Sequence, residues 1–326
     1  MTDTNNSTQN LAQAPVFNTI GTNDTELIQA SLGNNFVLGL GGNDAINTFF
    51  GDNDIVLAGS GEDSVLTGFG NDLVYGEDGD DLIVTGDGND ILDGGNGNDF
   101  LLGENGDDTI NGGPGDDKIA GGLGNDLLIS GTGEDIFFGD QGDDVLIGGE
   151  GNNTLSGGQG NDIIFGEQGN DRLLGDLDND VLFGGTGNDT LIGVDVFVPQ
   201  NQYGKNEIDI FTGGTDNDTF VLGGQERPTR TTTAFYNDGD PASAGRGDYA
   251  LITDFGISGE IFNYGVDKIQ LAGSASDYSL GASPSDLPSG TAIYLNDGST
   301  PELIGIVASV SPDILNLTNT NQFGYV

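Results

Sequence analysis

Carboxylates recur every nine residues along much of this chain. From 58 to 192 the sequence divides into fifteen consecutive nine-residue units. Their sixth places are Asp63, Asp72, Asp81, Asp90, Asp99, Asp108, Asp117, Asp126, Asp135, Asp144, Asn153, Asp162, Asp171, Asp180 and Asp189. The fourth place is Gly in fourteen units, with Asp178 the exception, and the eighth is apolar in all fifteen, from Val65 to Leu191. A carboxylate set in glycine-rich backbone offers hard oxygen ligands, which suit calcium; magnesium, with its strict octahedron and retained waters, suits them less. The chain has no His and no Cys. Structural zinc, haem, iron–sulfur clusters, thiol nucleophiles and histidine acid–base catalysis are therefore excluded.

Weaker units extend the register. Upstream lie 21–29 (Glu26), 30–38 (Asn35) and 39–47 (Asp44), then a one-residue insertion at Thr48 and the unit 49–57 (Asp54). After an excursion at 193–203 the pattern resumes in 204–212 (Asp209) and 213–221 (Asp218). Atypical end units are what a solenoid is expected to have.

These residues must be positioned by short elements. Six residues rich in Gly, Asn and Asp accept the left-handed conformations of a tight turn. The next three, such as Ile91, Leu92 and Asp93, are expected to form a strand with its central side chain inward. Two units then make one eighteen-residue coil, and fifteen units stacked at ~4.8 Å per coil make a roll roughly 36 Å long. The expected fold is all-β, a right-handed parallel β-roll. Turns on one edge repeat every second unit, so an ion between coils can lie between Asp residues eighteen apart, such as Asp81 with Asp99 or Asp90 with Asp108. Fifteen units allow thirteen such pairs, and the two containing Asn153, with Asp135 and with Asp171, are expected to be weakest or vacant.

Charge points the same way. Asp and Glu outnumber Lys and Arg by 53 to 7 in 326 residues, and a net charge of −46 opposes compaction unless cations neutralise it. So few basic residues make nucleic acid an improbable partner. No apolar run reaches the length of a membrane span, and the N-terminus has neither the charge nor the apolar core of a Sec-type signal. EF-hands are a poor match, because these turns are flanked by three-residue strands and not by helices.

Units such as GGNGNDFLL (94–102), GGLGNDLLI (121–129) and GGQGNDIIF (157–165) resemble GGxGxDxUx, the repeat of RTX (haemolysin-type) calcium-binding proteins. The resemblance covers roughly 39–221. It implies calcium ligation, at roughly ten or more sites, by the sixth-position Asp residues with carbonyls of the turns. It also implies export by a type I, non-Sec route, folding on calcium outside the cell, and a secreted or cell-surface location. Asn153, Asp178 and the units before 58 depart from the pattern and leave their sites open.

The remaining chain divides by composition. Residues 1–20 read as a tail, 21–222 as the roll (degenerate 21–57, regular 58–192, excursion 193–203, final units 204–222) and 223–326 as a β-rich cap. Segment 223–247, with Arg227, Arg230 and Arg246, reads as a long loop. Apolar runs YALITDF (249–255), DKIQLAG (267–273), TAIYLND (291–297) and ELIGIVASV (302–310) read as strands. The first two resemble the DYxxIxDF…DKIxL block that closes the roll in RTX proteins, including stand-alone cyanobacterial-type ones. The last residues, NLTNTNQFGYV, are either an uncleaved export signal, as in the family, or a final strand.

Outward seventh and ninth positions on one face are apolar over four coils: Leu127/Ile129, Val145/Ile147, Ile163/Phe165 and Val181/Phe183. A covering layer is expected there, from the C-terminal region or from a second protomer. The functional expectation is a secreted structural calcium-binding protein and not an enzyme. Alternatives are a calcium-dependent adhesive, matrix or polysaccharide-binding module, or, less favoured, a calcium-assisted polysaccharide lyase. Arg172 is the only Arg in the regular block, and a surface ion pair beside Asp171 is expected of it in preference to a catalytic role.

Overall fold

Inward packing at one place in nine organises the whole molecule. A computed structural model of the chain describes residues 17–30, 32–49, 52–194, 207–225, 232–234, 249–255, 267–296, 301–313 and 315–326. The tail before 17, most of the excursion and of the 223–247 loop, and Arg227, Arg230 and Arg246 lie outside the described residues. The eighth-position side chains stack along the roll axis, and Val74, Ile83, Leu101, Leu128, Phe137, Leu146 and Leu182 are wholly buried. Seventh-position side chains are half-buried or exposed on the outer surface.

The strands alternate between two parallel sheets, so each coil contributes one strand to each. Ile91–Asn96 pairs with Thr109–Pro114 in one sheet and Leu82–Asp87 with Phe100–Asn105 in the other, in each case eighteen residues apart. Each regular strand spans six residues and not three, because pairing continues into the second and third places of the next unit. At that second place the backbone has φ between 74° and 78° in Glu77, Glu104, Asp140, Glu167 and Asp176, which bends the strand into the coming turn. Left-handed geometry costs a non-glycine residue about 1–2 kcal/mol, so each of these five corners carries local strain.

The fourth place has a stricter demand. Gly79 has φ +145°, and a Cβ there would collide with the Gly61 carbonyl of the coil below. Its N–H donates to Asn96 O at 2.8 Å, locking one coil to the next. Where the fourth residue is Asp178 or Asp216, both at positive φ, the neighbouring lock lengthens to 3.3 Å (Gly160 N to Leu177 O, Gly187 N to Thr215 O).

At the N-terminal end, Phe17–Ile20 pairs with Asn35–Leu38, so the first sheet begins four residues before the expected boundary at 21. At the other end, Tyr249–Ile252 and Lys268–Leu271 continue the two sheets. Glu302–Ala308 pairs with Tyr249–Ile252, and two antiparallel strands beyond it end that sheet. Phe323–Tyr325 pairs with Lys268–Leu271, making the extreme C-terminus the last strand of the other sheet. No α-helix occurs among the described residues, and none is long and apolar enough to cross a membrane.

These C-terminal strands prolong the sheets edge to edge, so the expectation that they cover the apolar face is not met among the described residues. Ile129, Ile147, Phe165 and Phe183 stay partly exposed, and Phe165 stacks on Phe183 with ring centres 4.9 Å apart. Arg172 is outward as expected, but Asp171 turns inward. The acidic charge acting on Arg172 is that of Asp176, which opposes the lowering of its pKa by burial.

Removing one core layer should be costly. Leu146→Ala is expected to lower stability by about 2–5 kcal/mol in urea unfolding with excess calcium. Phe138→Ala, at a site 46% exposed, should change it by no more than about 0.5 kcal/mol. Equal losses would contradict the assignment of inward and outward places.

Candidate metal centre

Each turn ends with its Asp backbone about to enter a strand, and the side chain folds back inside the roll. All eighteen candidate aspartates are in described residues and buried, among them Asp44, Asp54, Asp209 and Asp218 of the irregular end units. Two rows result, one along each edge.

On the first edge Asp44 N donates to Asp63 Oδ1, Asp63 N to Asp81 (2.7 Å), Asp81 N to Asp99 (2.8 Å), Asp99 N to Asp117 (2.8 Å) and Asp117 N to Asp135 (2.7 Å). The row continues through Asn153, Asp171, Asp189 and Asp218 to Asp267, which lies in the C-terminal block. On the second edge it runs Asp54, Asp72, Asp90, Asp108, Asp126, Asp144, Asp162, Asp180 and Asp209. Residues eighteen apart are thus brought together as the spacing implies. The link between them, however, is a backbone N–H to one carboxylate oxygen.

The second oxygen is the informative one. From Asp44 to Asp189 each sixth-position Asp leaves its Oδ2 buried with no hydrogen-bond partner, and so does Asp218. Such a row of uncompensated buried acceptors is rare, because each costs its full desolvation. In most regular coils this Oδ2 lies over the first-position glycine. A Cβ built on Gly76 would fall within 3.0 Å of both Asp81 Oδ2 and the Gly94 carbonyl of the next coil. Gly94 is related in the same way to Asp99 and Gly112, Gly103 to Asp108 and Gly121, Gly139 to Asp144 and Gly157, and Gly184 to Asp189 and Gly213.

Two acceptors face one another in each of these cradles, and a hard cation satisfies both. The donor set is one carboxylate oxygen with backbone carbonyls. Among the described residues no three carboxylates converge on a single point. Glycine at the first place is what keeps the cradle open.

Burial also moves the proton affinity of these carboxyls. Asp81, Asp108, Asp117, Asp144, Asp162 and Asp189 are pushed up from 3.8 to about 7, chiefly by burial and secondarily by neighbouring carboxylates, against the lowering effect of the backbone hydrogen bond. Asp99, Asp126 and Asp171 rise to about 6 and Asp218 to about 8, again mainly through burial. Asp180 is raised as well, by burial first and by the charge of Asp209 second.

Sequence reasoning missed a second row. The fifth-position side chains cap the next coil from outside, as in Asn98 N to Asp80 Oδ1 (2.8 Å), Asp116 N to Asn98 Oδ1 (2.8 Å) and Asn125 N to Asp107 Oδ1 (2.9 Å). A signal was present, since the fifth place is Asn, Asp or Glu in all fifteen regular units. At the C-terminal end Asp254 takes both Gly213 N–H (2.8 Å) and Gly214 N–H (2.7 Å), closing a turn that has no regular repeat unit after it.

A family model described as the RTX calcium-binding nonapeptide repeat (4 copies) matches in stretches running from 20–48 through 50–83 and onward to 156–191, then at 203–225. These matches span more than half of the 326 residues. No curated protein matches the chain.

The raised carboxyl pKa values give the cation-free roll a definite pH dependence. Folded carboxyls keep protons that the unfolded chain gives up near 3.8, so stability without metal is greatest in acid and is lost as pH rises towards about 7. In chelator, far-UV circular dichroism should show more β-structure at pH 5.5 than at pH 8, and excess calcium should abolish the difference. More β-structure at pH 8 in chelator would contradict this sign.

Proposed function

We propose that this chain, which belongs to the RTX calcium-binding nonapeptide-repeat family, is a structural protein whose roll forms as calcium enters its turns, after export from the cell. The observation that carries the proposal is the row of buried, partnerless Oδ2 atoms facing carbonyls along both edges. Asp81, Asp99, Asp108, Asp117, Asp126, Asp144, Asp162, Asp171, Asp180, Asp189 and Asp218 supply the carboxylates beside open glycine cradles. Calcium supplies positive charge and demands oxygen ligands; the chain supplies the spacing, the inward carboxylates and the dry surroundings. In low calcium, a net charge of −46 keeps the chain extended and fit for passage through an export channel. Outside, ion binding becomes folding energy. No catalytic step is assigned: Arg172 sits on the outer surface under the charge of Asp176, and the role is mechanical.

Calcium titration followed by circular dichroism tests the proposal. A cooperative gain of β-signal is expected, shifted to higher calcium in Asp99→Asn. Equal β-signal in chelator and in excess calcium at pH 8 would overturn it.

A further inference from the structure

The cradles are not all alike. Thr67, Thr85 and Ser130 hold the first place that glycine holds in eleven of the fifteen regular units, Ala58 being the other exception, and their side chains are wholly buried. Each hydroxyl reaches the first-position carbonyl of the next coil: Thr67 Oγ1 donates to Thr85 O at 3.0 Å, Thr85 Oγ1 to Gly103 O at 3.2 Å, and Ser130 Oγ to Gly148 O. Those carbonyls correspond to the ones that face an orphan carboxylate oxygen in the glycine coils. The same hydroxyls lie against Asp72, Asp90 and Asp135, holding down the proton affinity that burial raises.

Asn153 also places a donor in the cradle, from the sixth place, though its Nδ2 makes no hydrogen bond there. Its Oδ1 accepts Asp135 N–H at 2.9 Å, so the ladder is intact. The atom left in the cradle is therefore Nδ2, within 3.0 Å of the point over Gly148 that also has Gly166 O at 2.8 Å. An amide N–H₂ donates and cannot ligate a cation.

We infer that the roll is metallated unevenly: at Thr67, Thr85, Ser130 and Asn153 the chain's own hydrogen-bond donor stands in the cradle where a calcium ion sits in the glycine coils. This rests on the calcium reading above. The four donors fall in two consecutive pairs, Thr67 with Thr85 on one edge and Ser130 with Asn153 on the other. Opposite these pairs the other edge carries glycine cradles, at Gly76 and Gly94 and at Gly139 and Gly157, although Ala58 precedes Gly76 on the edge facing Thr67. Each bolted turn is thus followed by a glycine cradle on the other edge. Bulk acts in the same direction, since a Cβ at a first place falls within 3.0 Å of where Oδ2 lies in the glycine coils.

The test is calcium stoichiometry of the full chain by equilibrium dialysis, with thermal unfolding in parallel. Thr85→Gly and Ser130→Gly should each bind one more calcium per chain than the parent, and Asn153→Asp, which keeps the ladder oxygen, should do the same. Thr85→Val, which keeps the bulk and loses the donor, should lower the melting temperature without gaining an ion. An unchanged count in the Gly and Asp variants, or a lower one in Thr85→Val, would overturn the inference, the latter by making the hydroxyl a ligand. Should a Gly variant fail to fold, Asn153→Asp decides alone. If the parent itself binds no calcium, the functional reading fails first, and the two failures are told apart.

Discussion

Everything in this roll depends on one electrostatic constraint: an acceptor cannot face an acceptor in a dry interior. Stacking eighteen-residue coils brings each Asp Oδ2 against a carbonyl of the next coil, for example Asp81 against Gly94. The β-ladders, the Gly79 type of lock and the fifth-position caps hold the coils in register, but none of them gives those oxygens a donor. A cation does, and it also offsets part of the repulsion within a row of carboxylates. With a single inward apolar side chain per nine residues, the hydrophobic layer alone is thin. On the proposed function, the ions are therefore better regarded as members of the core than as cargo.

Much of this was legible in the sequence because the period is strict. Eighth-position apolar residues defined the inward rank, and sixth-position Asp residues eighteen apart met as expected in the regular units, while Asp44, Asp209 and Asp218 joined the same rows across separations of 19 or 29 residues. The chemistry of the link was not legible. A spacing says that two carboxylates are neighbours; it does not say that one oxygen of each is committed to a backbone N–H, leaving the other for a metal. The strand length was underestimated because glycine-rich residues at the second and third places read as turn, although their backbone still pairs.

The insertion at Thr48 illustrates how structure resolves an ambiguous register. Thr48 N donates to Leu66 O as first-position residues do in other units, so Thr48 itself takes the first place and the extra residue falls in the turn that follows. The fate of the apolar face was also beyond sequence. Phe165 and Phe183 protect each other by stacking, a local solution that the pattern of outward apolar residues cannot distinguish from a missing layer. The C-terminal strands instead spend their pairing on the open ends of the sheets, where unpaired backbone would otherwise invite association.

Anomalous diffraction from crystals grown in calcium, with terbium exchanged for contrast, tests the central claim most directly. Two rows of peaks are expected inside the edges, spaced by ~4.8 Å, each beside an Asp Oδ2 and the first-position carbonyl of the next coil. Gaps in those rows are expected at Thr67, Thr85, Ser130 and Asn153. Peaks confined to outward carboxylates such as Asp80 or Asp107, with the inner cradles empty, would contradict that claim.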